Sequence, residues 1–382
     1  MLTKCLHQSL NPWGRPRSGG IDLWLWVPCF NRDKLITQIK DYIRFGAVCR
    51  LWRSVYTHNL QWYRTHLPRQ LPLLMFSTND DVKHSFLFSV TENKIYNHPL
   101  AIPHNENCRS STEGWLVTVY NGLEVHLLNP WLTVNNVIEL PPLSAFEPRG
   151  NITSVSYLNK VVLSANPTLN SNYIAIAIYS RYCRLALFKP GNKRWMSFNT
   201  NHELFEDVIY YKDQFYAINY FGEVFTCDAN PSNLVVSKII ERPSINPYAD
   251  KRYLVESDGG LLQILRTLKN EVGSSTSNFF PGGFKVYRLD SVELKWIETN
   301  NLSGRMLFLG RNSSMSLLAS DFPGCIPNSI YFTDDYFGGY YMKLEGPYDM
   351  GVFNIEDGSF VPQYPTAISK LSPPPIWILP TL

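Results

Sequence analysis

The sequence predicts a mainly β protein, a kelch-like β-propeller of about six blades preceded by a short α-helical segment. Three observations carry that reading. Beyond Pro72, short apolar or alternating runs separated by turn residues recur over about 300 residues. Trp195 and Trp296 close two similar stretches, each an alternating strand, a turn and a basic residue before the indole. They lie 101 residues apart, two periods of about 50, the spacing of kelch blades. Between Asp33 and Tyr63, by contrast, Leu35, Ile36, Ile39, Ile43, Val48 and Leu51 recur at helical intervals with Lys, Arg and Gln between them.

In chain order, residues 1–32 carry Gly, Pro, Arg and Ser without periodicity and read as a loose N-terminal segment. Residues 33–66 hold no proline, so two or three helices are allowed there. Leu67-Pro-Arg-Gln-Leu-Pro72 breaks the helical pattern and acts as a linker, and the propeller is assigned to residues 72–380. Leu116–Tyr120 and Leu123–Leu128 flank Asn121-Gly122, a strong hairpin signal because both residues tolerate the positive φ of a type I′ turn. Strands follow at 161–164, 173–179, 185–188, 208–211, 214–219 and 223–227, then at 253–256, 261–265, 284–289 and 294–298. The last group is 306–309, 316–319, 329–332, 340–343 and 351–354. Lys269 to Gly283, rich in Gly, Ser and Asn, reads as a flexible loop between strands. A pair of β-sandwiches is the alternative architecture, and five or seven blades remain open.

Composition narrows the function classes. Aromatics reach 14% and charged residues only 18%, a globular mix whose Tyr, Phe and Trp favour pleated surfaces. A net charge of +3 without a dense basic stripe argues against nucleic acid as a partner. Seven widely spaced cysteines with no Cys-x-x-Cys pair argue against a disulfide framework or zinc module, and suit reduced thiols in the cytoplasm or nucleus. The opening residues lack a secretory core, and the apolar run Ile21 to Phe30 is short and interrupted by Pro28, so no membrane association is expected. On the same ground the sequons at Asn151, Asn301 and Asn312 read as chance matches.

Asp41, Arg44, Phe45, Val48, Cys49 and Trp52 fall at spacings of three and four, so on one helix they share a face. Such a face can bury against a partner's helices or against the protein's own propeller. The pattern Asp-x-x-Arg-Phe-x-x-Val-Cys-x-x-Trp resembles the second half of an F-box. Gly114 to Pro130 with Ile138 to Leu143, Phe284 to Glu298 with Leu307 to Leu317, and Gly351 to Phe360 with Pro373 to Trp377 are similar to segments of plant F-box proteins carrying a KIB-type β-propeller. The F-box's first half is degenerate here: Trp26-Val-Pro28 and Lys34 to Ile39 stand where a Leu-Pro and an acidic helix belong.

The resemblance implies a substrate receptor of a Skp–cullin–F-box ubiquitin ligase. Residues Asp41, Arg44, Phe45, Val48, Cys49 and Trp52 would face a Skp-type adaptor, and propeller loops would bind a protein target. One alternative is a non-catalytic binding propeller that has lost adaptor docking. Another is a glycosidase-type propeller enzyme, whose paired acids would come from Asp321, Asp334 and Asp335.

No phosphate-binding loop, dinucleotide fingerprint, nucleophile elbow or His-Glu-x-x-His occurs, so neither an enzyme nor a cofactor is expected. His98, His104 and Cys108 lack a second ligand pair and predict no metal. The Asp residues are expected to accept backbone N–H bonds in blade turns. Trp195, Trp296, Tyr331 and Phe332 are expected as packing between blades, and Arg305 and Arg311 as solvated side chains.

Overall fold

The computed structural model describes residues 49–50, 52–54, 58, 70–78, 81–97, 106–120, 123–132, 135–146, 157–200, 202–229, 234–244, 249–270, 279–335, 349–361 and 375–381. Contacts divide the chain into two units, Met1–Gln70 with Thr381–Leu382, and Leu71–Pro380. In the first, Arg50, Trp52, Arg53, Ser54 and His58 are helical. The Arg53 N–H donates to the Cys49 carbonyl at 2.9 Å, the i to i−4 bond of an α-helix.

The second unit is a propeller. Blade 1 begins with β1 (Leu73–Thr78), β2 (Asp81–Ser89) and β3 (Lys94–Asn97). Blade 2 is β4 (Glu106–Thr112), β5 (Trp115–Tyr120), β6 (Glu124–Leu128) and β7 (Val137–Leu140). Blade 3 is β8 (Leu158–Leu163), β9 (Ala175–Tyr179), β10 (Arg184–Phe188) and β11 (Met196–Ser197). Blade 4 is β12 (Phe205–Tyr211), β13 (Gln214–Asn219), β14 (Val224–Cys227) and β15 (Val236–Ile240). Blade 5 is β16 (Lys251–Ser257), β17 (Gly260–Asn270), β18 (Phe279–Asp290) and β19 (Lys295–Thr299).

Blade 6 departs from this meander. It holds β20 (Arg305–Leu309), β21 (Met315–Leu318), β22 (Ser329–Phe332), β23 (Gly351–Asn354) and β24 (Phe360–Val361), in the spatial order β21-β20-β22-β23-β24. The chain enters at the second position, turns inward to β21, and recrosses so that β22 lies parallel to β20. Finally β25 (Ile376–Ile378) pairs with β1 through Leu74↔Trp377 and completes blade 1. First and last strands thus share one sheet, which clasps the ring shut and leaves only the short outer edge of each blade. Among the described residues the strands form six sheets, and β25, β4, β8, β12, β16 and β21 are innermost.

The core lies between blades because each strand alternates its side chains toward its two neighbours. On β22, Ile330 and Phe332 pack toward blade 5 with Tyr253, Leu262 and Val286, whereas Tyr331 packs toward blade 1 with Leu74, Phe88 and Trp377. Trp195 fills the joint between blades 2 and 3, stacked on Phe146 at 4.9 Å and 9°. Its indole N–H donates to the Pro141 carbonyl at 2.8 Å, so the buried ring leaves no polar atom unmet. Trp296 holds the corresponding place on β19 two blades on, as the tryptophan spacing predicts, but is half-buried.

One expectation is corrected. Of the stretch read as a loop, Lys269, Asn270 and Phe279 to Gly283 are strand, paired through Thr267↔Gly283, Leu268↔Pro281 and Asn270↔Phe279. A bulge at Thr267/Leu268 lets the ladder run past Pro281. It needs glycine, since a Cβ on Gly282 would sit 2.6 Å from the Thr267 carbonyl oxygen. β5 and β6 pair as the hairpin signal predicts, whereas 121–122 and 340–343 lie outside the described residues.

Candidate functional site

The upper end of the propeller, where the innermost strands begin, gathers the features able to bind a partner in blades 3 and 4. The Ser180 N–H donates to the Tyr157 carbonyl at 2.6 Å, which sets the β9–β10 turn beside the start of β8. The Phe205 N–H donates to the Cys183 carbonyl at 3.0 Å, and the Tyr220 N–H to the Leu204 carbonyl at 2.8 Å. These bonds weld the turn 180–183, residues 204–205 and the turn 219–222 into one surface. Tyr182, Leu204, Tyr220 and Phe221 all stand exposed on it.

Asn219 makes the second turn rigid. Fully buried, it accepts the Phe221 and Glu223 amides at 3.0 and 2.9 Å, and donates to the Glu203 and Glu223 carboxylates at 2.7 and 2.8 Å. Every lone pair and N–H of the side chain is used, so Tyr220 and Phe221 are displayed by a fixed scaffold. Arg252 lies under the Tyr220 ring, 5.5 Å from its centroid. On the first turn the Arg181 and Arg184 guanidiniums flank the Tyr182 ring at 4.7 and 5.7 Å.

Along the axis, polar side chains of the innermost strands bond across to the next blade. The Val161 and Leu163 amides donate to Ser110 and Thr112 of β4 at 3.2 and 3.1 Å. The Lys160 ammonium meets Asp207 at 2.5 Å, and the second Asp207 oxygen accepts the Leu254 amide at 3.0 Å. The β20–β21 hairpin then crosses the centre. The Ser313 N–H donates to the Ser111 carbonyl of blade 2 at 2.7 Å, Arg311 donates to the Asn159 carbonyl of blade 3 at 3.3 Å, and Ser314 reaches Asp207 of blade 4 at 3.5 Å. Arg311 is therefore a buried part of an axial plug, not the solvated side chain expected, and Arg305 is half-buried on Ser316 at 2.9 Å.

Of the carboxylates considered for chemistry, Asp335 is taken up by a buried cation. Arg266, buried on β17, reaches Asp335 at 3.0 Å and Asp349 at 2.6 Å, while the Tyr253 hydroxyl donates to Asp335 at 2.6 Å. Asp335 thus accepts side-chain donors across a blade joint, where backbone donors were expected. Asp321 is exposed beyond the end of β21, at the opposite end of the blade from Asp334 and Asp335, because β21 runs antiparallel to β20 and β22 parallel to it. Burial pushes the Asp349 carboxyl up to about 7, with Arg266 opposing and Asp334 and Asp335 adding to the rise. Burial likewise raises Glu206 to about 7 against the pull of Lys251 and Arg252. Such a network holds blades together; it presents no solvent-facing acid pair. No cluster of potential metal ligands occurs among the described residues, Cys108 is buried in β4, and His98 and His104 lie outside them.

The model of a family described as the KIB1-4 β-propeller matches residues 87–354, from β2 to the end of β23. This chain belongs to the KIB1-4 β-propeller family. Its curated relatives are distant F-box proteins of Arabidopsis thaliana. F-box protein SKIP23 is 26% identical, with 91% of this chain and 92% of the relative covered. F-box protein At2g17036 is also 26% identical, with 91% of each covered. F-box protein At2g26160 is 33% identical over a shorter stretch, 38% of this chain and 44% of the relative.

For this KIB1-4 propeller, most of the face read as adaptor-binding is not described: Asp41, Arg44, Phe45 and Val48 lie outside the described residues. Cys49 is exposed and Trp52 is half-buried within the helical stretch. Tyr182, Tyr220 and Phe221 escaped the sequence reading. Their signal was present, since Arg181-Tyr182 and Tyr220-Phe221-Gly222 put aromatic side chains where a turn would ordinarily carry small polar ones. No described helix is long and apolar enough to cross a membrane.

Proposed function

We propose that this chain is the substrate-receptor subunit of a Skp–cullin–F-box-type ubiquitin ligase, acting in the cytoplasm or nucleus, with the propeller holding a protein target. One observation carries the reading. The match to F-box protein SKIP23 covers 91% of the chain, more than the propeller unit Leu71–Pro380, roughly four-fifths of it, can supply. The likeness to an F-box protein therefore reaches into the N-terminal unit that carries the Asp41 to Ser54 motif. On this reading Asp41, Arg44, Phe45, Val48, Cys49 and Trp52 meet a Skp-type adaptor. The chain makes and breaks no bond itself. It raises the effective concentration of the target beside the ligase's catalytic subunits.

The test is co-expression of the full chain with a plant Skp-type adaptor and affinity purification through a tag on the adaptor. Stoichiometric recovery, lost on Trp52→Ala, supports the proposal; no recovery overturns it. The degenerate first half of the F-box favours a second reading, a propeller that binds its target without the ligase. That reading predicts a captured target whose ubiquitination is indifferent to Trp52→Ala. A glycosidase role gains no support, since Asp335 and Asp349 are both engaged by Arg266.

A further inference from the structure

We infer that the upper surface of blades 3 and 4 is a docking site for an acidic, unfolded peptide segment that carries an aromatic side chain. The inference rests on the receptor reading only in calling that peptide the target; the surface itself is argued from its own chemistry.

The first argument is charge. The exposed Arg181 and half-buried Arg184 both lie against Tyr182, and no described carboxylate is within ion-pair distance of either. The neighbouring acids are occupied: Glu203 and Glu223 receive the Asn219 amide, Glu223 also pairs with Lys238 at 3.2 Å, and Glu206 faces Arg252 at 3.6 Å. Among the described residues the surface is left with two guanidiniums that no carboxylate pairs. Their planar forks match carboxylates in both geometry and charge.

The second argument is display. Tyr182, Tyr220 and Phe221 are about half exposed, on turns fixed by the bonds of Ser180 and Asn219. Single exposed apolar residues need no explanation, but aromatics held on a rigid scaffold beside arginines that no described carboxylate pairs, Arg181 donating only to the Tyr182 hydroxyl, have the make-up of interface anchors. Little ordering entropy is lost when a ligand meets them. An extended peptide can set carboxylates on Arg181 and Arg184 and lay an aromatic ring across Phe221.

The test uses the full chain and three fluorescein-labelled nonapeptides read by anisotropy. One has Asp and Glu around a central Phe, a second has Lys at every acidic position, and a third replaces the Phe by Ser. A labelled oligouridine serves as a nucleic-acid control. The acidic Phe peptide should bind at least about tenfold more tightly than either control peptide and should weaken with added salt. The double variant R181E/R184E should weaken it by at least about tenfold, and Phe221→Ser by about fivefold. Arg181→Glu alone, at an exposed position, serves if the double variant fails to fold. Equal binding of acidic and basic peptides, tighter binding of oligouridine, or indifference to Arg181→Glu would overturn the inference. Adaptor capture by the same preparations separates the two claims. Peptide binding without adaptor capture removes the ligase reading alone, and the reverse removes the docking site alone.

Discussion

Lys160 on the innermost strand of blade 3 meets Asp207 of blade 4 at 2.5 Å, and both side chains are almost wholly buried. The same carboxylate accepts the Leu254 amide of blade 5, so one aspartate joins three consecutive blades. Removing it strands an ammonium and an amide together. Asp207→Ala should cost about 3–5 kcal/mol in denaturant unfolding. The double change of Lys160 and Asp207 to Met and Leu should recover much of that loss, because a matched apolar pair leaves no buried charge. A loss below about 1 kcal/mol for Asp207→Ala would place the pair in water.

Glu206 carries a pH signature. Burial lifts its carboxyl from an ordinary 4.5 to about 7. The folded state then holds the proton more tightly than the unfolded chain. Its contribution is complete below pH 4.5 and declines as the pH rises toward about 7. Glu206→Gln should therefore gain on the parent by about 1–3 kcal/mol between about pH 5 and about pH 8 in paired urea titrations. A constant difference between the two proteins would contradict the shift.

The two tryptophans that share a sequence context should differ in weight. Trp195→Ala removes a ring stacked on Phe146 and an indole bond to Pro141, and should cost about 3–5 kcal/mol. Trp296→Ala acts on a half-buried ring and should cost less than half as much. Equal losses in chemical denaturation would refute the burial difference.

Gly310 opens the hairpin that plugs the axis. A Cβ there would collide with the Thr333 hydroxyl and crowd the Asn312 amide oxygen at 3.1 Å. Gly310→Ala should destabilise by about 2 kcal/mol or more, whereas Gly304→Ala, at positive φ but with open space, should cost about 1 kcal/mol. The comparison in one melting series isolates the close approach from the backbone term.

The legible parts of the fold are those whose pattern repeats. Alternation marked Gln214–Asn219 and Ser329–Phe332, and the Trp195 to Trp296 interval set the blade period. β4 was missed because Glu106 to Thr112 is nearly all polar. Its Ser110 and Thr112 are needed as acceptors for the amides of β8, a requirement that lies some fifty residues away in sequence and leaves no local period. The crossing of β21 ahead of β22 was hidden for the same reason, since strand order inside a blade depends on partners, not on the strand's own residues. Arg311 was misread as solvated because a charged residue after a glycine looks like a turn; only the assembled ring shows that this turn points down the axis. The Tyr182 and Phe221 surface combines two blades, and neither turn alone announces it.

On the receptor reading, the N-terminal unit docks an adaptor while the propeller holds a target. Isothermal titration of the full chain with a purified plant Skp-type adaptor decides between docking and its absence. One-to-one binding at about 1 μM or tighter is expected, abolished by Trp52→Ala and unchanged by R181E/R184E. An absence of heat at adaptor concentrations of about 100 μM, from a chain whose propeller melts cooperatively, would contradict it.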